Sequence, residues 1–341
     1  MDLDIGHLAA YLREAGLVGH SPLEVTPLSG GQSNPTYKVS AGPVCYVLRK
    51  QPPGILLPGA HAIDREFRVM AALANTDVPV PRMYRLCCDP SILGTPFYLM
   101  DYLEGRVLLD QSLPGMRADA RSAIYGEMNR VIAALHGVDY GAAGLLEFGK
   151  TGKYVARQVA RWSRQCREST LAMSASMHRL MEWLPENLPS NEETTLVHGD
   201  YRMDNLVFHP TEPRVIGVLD WELSTLGDPL ADFAYQCMSW SIPPALWRGI
   251  GGLDLQDLGI PPEQDYVRAY ERATGREVAG HWDFYLAYNL FRMAAILHGI
   301  AQRAADGTAA AADAAETGAK AGPLADLGWA CAQRFEAGRR R

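Results

Sequence analysis

The sequence predicts an α+β chain in two parts: a small antiparallel β-rich part over residues 1–104 and a larger, mostly helical part over 105–341. Three observations carry this. A chain of 341 residues exceeds what one compact core usually holds. Short runs rich in β-branched and aromatic residues crowd the first hundred positions, whereas helical periodicity dominates after Gly105. One later pair of β-rich runs, Asn205-Leu206-Val207-Phe208 and Arg214-Val215-Ile216-Gly217-Val218-Leu219, flanks His209-Pro210-Thr211-Glu212-Pro213 and reads as a hairpin within the helical part.

Residues 5–16 have the spacing of a short amphipathic helix. From Val25 to Arg49 two β-like stretches surround the small-residue turn Leu28-Ser29-Gly30-Gly31-Gln32-Ser33-Asn34, and the second ends in a strand over 44–49. Ile63, Phe67, Met70 and Ala74 fall on one face of a helix over 62–74, with Glu66 bordering that face. A strand pair follows over 82–88 and 96–103, broken by Glu104-Gly105. Helices are then expected at about 115–137, 153–183, 228–242, 262–274 and 281–304, with the Ala-rich stretch 304–321 forming a loose connection or a weak helix. Asp228 precedes Pro229 as a helix cap should, and Asp232 is placed to brace a nearby loop.

The most informative segment is His198-Gly199-Asp200-Tyr201-Arg202-Met203-Asp204-Asn205, followed by Asp220 in Val218-Leu219-Asp220-Trp221-Glu222. In phosphoryl-transfer loops an Asp accepts the proton of the attacking hydroxyl, an Asn five positions later holds magnesium, and a further Asp completes the metal set. Asp200, Asn205 and Asp220 have that order and spacing. The expected hairpin places Asn205 and Asp220 at the same end, because in an antiparallel pair the start of one strand lies beside the end of the other. Magnesium takes few hard oxygen ligands from protein and fills its shell with phosphate and water.

Upstream residues supply the rest of a nucleotide site. Gly30, Gly31 and Ser33 can bring backbone N–H groups near phosphate oxygens. A strand cation held by a helix carboxylate grips the α- and β-phosphates in such enzymes. Arg49 and Glu66 are the candidate pair, with Lys50 as the alternative cation. Arg49 is favoured because it shares a strand face with the apolar Val47, while Lys50 precedes the turn Gln51-Pro52-Pro53-Gly54. By order along the chain, an adenine would hydrogen-bond to backbone groups in this segment, with Met100 at the back of the pocket and Asp101 to Leu103 forming the connection between the two parts.

Composition narrows the partners. Net charge is −7, which gives no global field for nucleic acid. The six cysteines show no metal-ligand spacing and are expected to be reduced thiols in the cytosol. No apolar run of membrane-spanning length occurs, and the amino terminus lacks a basic region ahead of an apolar run. A cytoplasmic protein free of membrane is expected.

With these motifs in this order the chain resembles the aminoglycoside phosphotransferase and choline kinase branch of the protein-kinase-like fold. His198-Gly199-Asp200 and Asp220-Trp221-Glu222 stand where protein kinases show His-Arg-Asp and Asp-Phe-Gly. Tyr46-Val47-Leu48-Arg49-Lys50-Gln51-Pro52-Pro53-Gly54 and Tyr154-Val155-Ala156-Arg157-Gln158-Val159-Ala160-Arg161-Trp162 resemble the kinase-like domain fused to some acyl-CoA dehydrogenases, and most closely its stand-alone bacterial relatives. The resemblance covers Gly30 to Asp232. It implies a bilobal fold binding ATP and Mg2+ between the lobes, with Asp200 as catalytic base, Asn205 and Asp220 as metal ligands, and Arg202 steadying the transferred phosphate. It also implies a small-molecule alcohol as acceptor, in this group a hydroxylated acyl-CoA thioester, and an association with acyl-CoA dehydrogenases.

Charge patterning gives an independent clue to the acceptor. Lys150, Lys153, Arg157, Arg161, Arg164 and Arg167 fall within eighteen residues that contain no acidic residue, and Arg157, Arg161 and Arg164 share one helical stripe. Such a stripe would repel a polycationic aminoglycoside and attract the phosphates of coenzyme A. Glu222 and Arg292 are further candidates for contacting the acceptor. Two other readings compete: an aminoglycoside, choline or sugar kinase, which an acidic cleft would favour, and a nucleotide-binding regulatory partner without turnover.

Overall fold

The computed structural model describes residues 3–28, 34–54, 62–190, 192–309 and 311–339. In chain order its elements are α1 (Ile5–Glu14), β1 (Glu24–Pro27), β2 (Thr36–Ala41), β3 (Val44–Lys50), α2 (Ile63–Leu73), β4 (Met83–Cys87), α3 (Pro90–Leu93), β5 (Phe97–Asp101), β6 (Arg106–Val107), α4 (Ala118–His136), α5 (Tyr154–Arg167) and α6 (Ala175–Glu186). There follow β7 (Thr195–Val197), β8 (Leu206–Phe208), β9 (Val215–Val218), β10 (Thr225–Gly227), α7 (Pro229–Cys237), α8 (Leu255–Leu258), α9 (Glu263–Thr274), α10 (Trp282–Ala305), α11 (Ala314–Ala319) and α12 (Ala321–Arg339). The α+β class read from the sequence is the class observed. Contacts divide the chain into two compact units, one of residues 1–107, 141–145 and 205–224, the other of the remainder.

The first unit is built on a five-stranded antiparallel sheet in the order β1-β2-β3-β5-β4. Alternation along β3 and β5 buries Leu48, Phe97 and Leu99 with Leu8 and Leu12 of α1 in one apolar cluster. Helix α2 buries Ile63, Val69, Met70 and Leu73, and also Glu66, so this carboxylate lies inside the buried stripe rather than beside it. The expected hairpin is present: β8 pairs with β9 in the register Leu206↔Val218, and β6 extends the sheet. Arg106 fastens its turn by donating to the carbonyls of His209 at 2.9 Å and Glu212 at 2.8 Å. Gly217 in β9 lets Leu103 pack closely, since a Cβ there would lie 2.2 Å from Cδ1 of Leu103 and that side chain would have to shift. The hairpin groups with the β-rich unit, whereas the sequence reading assigned it to the helical part.

The second unit is helical around α10, whose residues from Phe284 to Ala295 are all buried. Phe233 of α7 stacks on Tyr270 of α9 with ring centroids 4.0 Å apart. The helix expected over 153–183 is two helices, α5 and α6, separated at 168–174. Ser174 caps the second by accepting from the Met177 amide at 3.3 Å. Asp228 caps α7 as anticipated, accepting from Leu230 N at 2.8 Å and Ala231 N at 3.2 Å. The Ala-rich stretch holds the end of α10 and the short α11, and α12 has no counterpart in the sequence reading. No helix of the described residues is long and apolar enough to cross a membrane, and all six cysteines are free.

Candidate active site

The first unit carries the candidate nucleotide residues. Arg49, at the end of β3, lies with Nε 2.9 Å from Oε2 of Glu66, and its Nη2 is 3.3 Å from Oδ1 of Asp220 and 3.8 Å from Oε2 of Glu222. Glu66 also accepts from the Tyr98 hydroxyl at 2.9 Å and from the Asn34 amide at 3.0 Å. Burial pushes its carboxyl above the usual range, and the Arg49 guanidinium opposes that shift. For Arg49, burial works against the charge, but Glu66 foremost and then Tyr98, Asp220 and Glu222 outweigh it and raise the pKa. The question of Arg49 or Lys50 is thereby settled for this ion pair: Arg49 meets Glu66, while Lys50 is buried and its pKa is lowered by desolvation.

The hairpin brings Asn205 and Asp220 to one end, with the Leu219 amide donating to the Asn205 carbonyl at 2.9 Å. Asp220 has φ 64° and ψ 56°, the left-handed region that few non-glycine residues occupy. The turn after it is fixed by Trp221, whose indole donates to the Val218 carbonyl at 2.8 Å. Asn205 is buried, while the Asp220 side chain keeps 35% of its surface exposed. One amide oxygen and one accessible carboxylate at a shared strand end are a donor set that suits magnesium, a hard cation that keeps water and phosphate as its other ligands.

Met100 is buried in β5 opposite Val47. The Asp101 amide donates to the Arg82 carbonyl at 2.9 Å, and its carboxylate accepts from the Tyr84 hydroxyl at 2.7 Å. Leu103 follows the strand and packs at Gly217. Gly30, Gly31 and Ser33 lie outside the described residues.

The second unit carries the loop that starts at His198. Pairing of β7 with β10 ends at Val197, which delivers the chain into His198-Gly199-Asp200. Gly199 takes φ 83°, and the buried Asp232 accepts from both the His198 and Gly199 amides at 2.8 Å. His136 lies 3.2 Å from the same carboxylate and holds the Tyr270 hydroxyl at 2.7 Å. Burial alone would raise the Asp232 pKa, yet the His136 hydrogen bond and the other donors bring it below the usual range. Burial lowers the pKa of His136. Asp200 presents its carboxylate beside Arg202, whose Nε donates to Oδ2 at 3.2 Å; burial foremost and then the Asp200 charge raise the pKa of the nearby Tyr235. Arg202 also reaches Asp204 at 3.2 Å, and Arg248 pairs with the same carboxylate.

Over residues 24–294 the sequence matches the profile of the phosphotransferase enzyme family. The chain belongs to that family. This kinase-type phosphotransferase is 48% identical over 327 residues to mouse acyl-CoA dehydrogenase family member 10, covering 94% of the chain but 30% of that protein. It thus spans under a third of the curated relative's length. A crystal structure from Ralstonia eutropha JMP134, provisionally named an aminoglycoside phosphotransferase, is 52% identical and superposes with a TM-score of 0.90 over 98% of this chain and 99% of the other. Choline kinase from Cryptosporidium parvum shares the fold at 12% identity, with a TM-score of 0.68 over 98% and 97% of the two chains.

Of the acceptor candidates in this phosphotransferase, Glu222 belongs to the Arg49 cluster of the first unit. Arg157 is committed to the loop before α5, donating to the carbonyls of Lys150 and Gly152. Arg161 is exposed with its guanidinium 5.1 Å from the Trp162 ring, and Arg292 is buried and donates to the Gly199 carbonyl at 2.6 Å. Neither Arg157 nor Arg292 is therefore the open anion contact that the stripe and the late helix suggested. Beside Arg202 lies instead a pocket lined by Arg248, Tyr235, Met238, Ile242, Trp247, Met293 and neighbouring polar groups, with no carboxylate among its lining. Sequence reasoning missed Arg248 and Tyr235, and also Tyr98 and Asn34. Only Tyr98 had a usable signal, since it alternates with Met100 along β5.

Proposed function

We propose that the chain is an ATP- and Mg2+-dependent phosphotransferase that moves the γ-phosphate to the hydroxyl of a small anionic alcohol, a hydroxyacyl-CoA or a close relative. The observation that carries the chemistry is the hairpin that brings Asn205 and Asp220 to one strand end, with Asp200 five positions upstream of Asn205. The small pocket beside Arg202 has an apolar wall, and its two guanidiniums are paired with Asp200 and Asp204. The relatives' naming as acyl-CoA dehydrogenase family members supports the acceptor class, and an association with such dehydrogenases in the cytosol is part of the proposal.

On this reading residues 1–104 with the hairpin serve the nucleotide, and the rest of 105–341 serves the acceptor. Arg49, held by Glu66, offsets charge on the α- and β-phosphates; Gly30, Gly31, Ser33, Met100 and Leu103 complete the nucleotide's surroundings. Asn205 and Asp220 would hold magnesium, which would neutralise the phosphate oxygens. Asp200 accepts the proton of the acceptor hydroxyl as its oxygen bonds to the γ-phosphorus and the bond to the β-phosphate oxygen breaks, giving ADP and a phosphate monoester. Arg202 offsets charge on the moving phosphoryl group. Asp200 and Asn205 are five positions apart, within roughly 18 Å along even a fully extended chain.

An ADP-release screen over hydroxyacyl-CoA thioesters, free hydroxy acids, aminoglycosides and choline tests this. Turnover is expected with the CoA thioesters. Turnover with aminoglycosides or choline alone would overturn the acceptor class, and an Asp200→Asn protein with full turnover would overturn the chemistry.

A further inference from the structure

Arg292, in the middle of α10, is a buried cation with no ion pair among the described residues, and Asp200 is the carboxylate whose charge acts on it. It is 5% exposed, and no carboxylate of a described residue lies within ion-pair distance of it. Its Nη2 donates to the Gly199 carbonyl at 2.6 Å, its guanidinium sits 4.8 Å from the centre of the Tyr235 ring, and its Nε is buried with no hydrogen-bond partner. Burying a charge on these terms is costly, and an apolar side chain of similar volume would ordinarily serve packing better. The charge therefore needs a reason other than stability.

Both of its contacts lead to Asp200. The carbonyl it holds belongs to the peptide unit that joins Gly199 to Asp200, and that unit sets the direction in which the Asp200 side chain leaves the main chain. The preceding amide of Gly199 is already held by Asp232, so the left-handed glycine is pinned from both sides. The aromatic face it covers is Tyr235, a pocket-lining neighbour of Arg202 whose hydroxyl feels the Asp200 charge, which adds to the rise in pKa that burial causes. Arg202 meets the same carboxylate at Oδ2. A fixed direction and a fixed rotation are what a proton acceptor requires, because misplacement by about 1 Å can cost on the order of a hundredfold in rate.

We infer that Arg292 and Tyr235 are positioning residues that together hold the Asp200 carboxylate in its working orientation. The inference rests on Asp200 being the proton acceptor, and the test separates the two. Arg292→Met, Arg292→Lys, Tyr235→Phe and Asp200→Asn are made in the full chain. ADP release from Mg-ATP is measured with water as acceptor and again with 3-hydroxyhexanoyl-CoA, alongside thermal unfolding. Arg292→Met is expected to lower kcat at least tenfold while the KM for ATP stays within threefold and the unfolding temperature does not fall. Arg292→Lys should recover part of kcat, and Tyr235→Phe, which keeps the ring, should lose kcat without loss of stability. A merely structural arginine would give the opposite pattern: lower unfolding temperature with kcat retained in the folded fraction. Wild-type kcat in Arg292→Met, or in Tyr235→Phe should the methionine variant not fold, overturns the inference. Full ADP release by Asp200→Asn overturns the reading beneath it.

Discussion

Replacing Glu66 by Gln tests how the first unit holds its cation. The side chain keeps its size and an acceptor for Tyr98, but the charge facing Arg49 is gone. With side-chain exposures of 1% for Glu66 and 12% for Arg49, this is a buried pair, and removing one member of such a pair costs about 3–5 kcal/mol. Asp220 and Glu222 remain within 4 Å of the guanidinium and soften the loss, which places the expectation near the lower figure. At roughly 2–4 °C per kcal/mol for a unit of this size, the midpoint of its thermal transition should fall by about 6–12 °C. Arg49 would then turn to Asp220, 3.3 Å away, and engage the proposed metal carboxylate, so ATP should bind about tenfold more weakly, or about 1.4 kcal/mol. Differential scanning calorimetry and titration with Mg-ATP measure the two effects. A transition within about 2 °C of wild type together with unchanged ATP affinity would refute the reasoning.

Asp228 gives a pH test. Burial raises its pKa from 3.8 to about 6, so the folded state holds that proton more tightly than the unfolded chain. Its contribution is therefore fully present below pH 3.8 and is lost as pH rises to about 6, a change on the order of 3 kcal/mol. Asp228→Asn, which keeps the helix cap, should remove that slope and be more stable than wild type at pH 7.5 in urea unfolding; an unchanged slope would contradict this. Gly217→Ala would drive a methyl into Leu103 and should cost about 1–3 kcal/mol, read as a lower urea midpoint at constant m-value. Arg248→Ala should raise the KM for an anionic acceptor about tenfold, equal to about 1.4 kcal/mol, with the KM for ATP little changed; equal rises in both would place Arg248 outside acceptor binding.

What the sequence made legible is what short-range rules govern. Two β-rich runs around a five-residue turn specify a hairpin locally, and the hairpin fixes that Asn205 and Asp220 share an end. Strand alternation and helix periodicity put Arg49 and Glu66 on facing surfaces, although the pattern placed Glu66 at the border of its stripe when its ion pair lets it lie inside. The break between α5 and α6 carries no proline or glycine, only Ser174 as a cap, and a run of helix formers hid it. In α12, Gly322, Pro323 and Gly328 argue against a helix by propensity. Proline is tolerated in the first turn, and Gly328 lets Leu180 and Leu290 approach closely, so packing overrides propensity there. Arg292 and Tyr235 were out of reach for another reason: their meaning depends on interactions across more than thirty positions of sequence, with Gly199 and Asp200.

The left-handed backbone at Asp220 sets a trap for anyone improving this protein by heat alone. Glycine or asparagine would relax that conformation by roughly 1 kcal/mol, so a library screened only for survival at high temperature should drift toward them at position 220. If Asp220 holds the metal as proposed, the winners would be sturdier and catalytically silent, and a screen that never asks for turnover would rank them first.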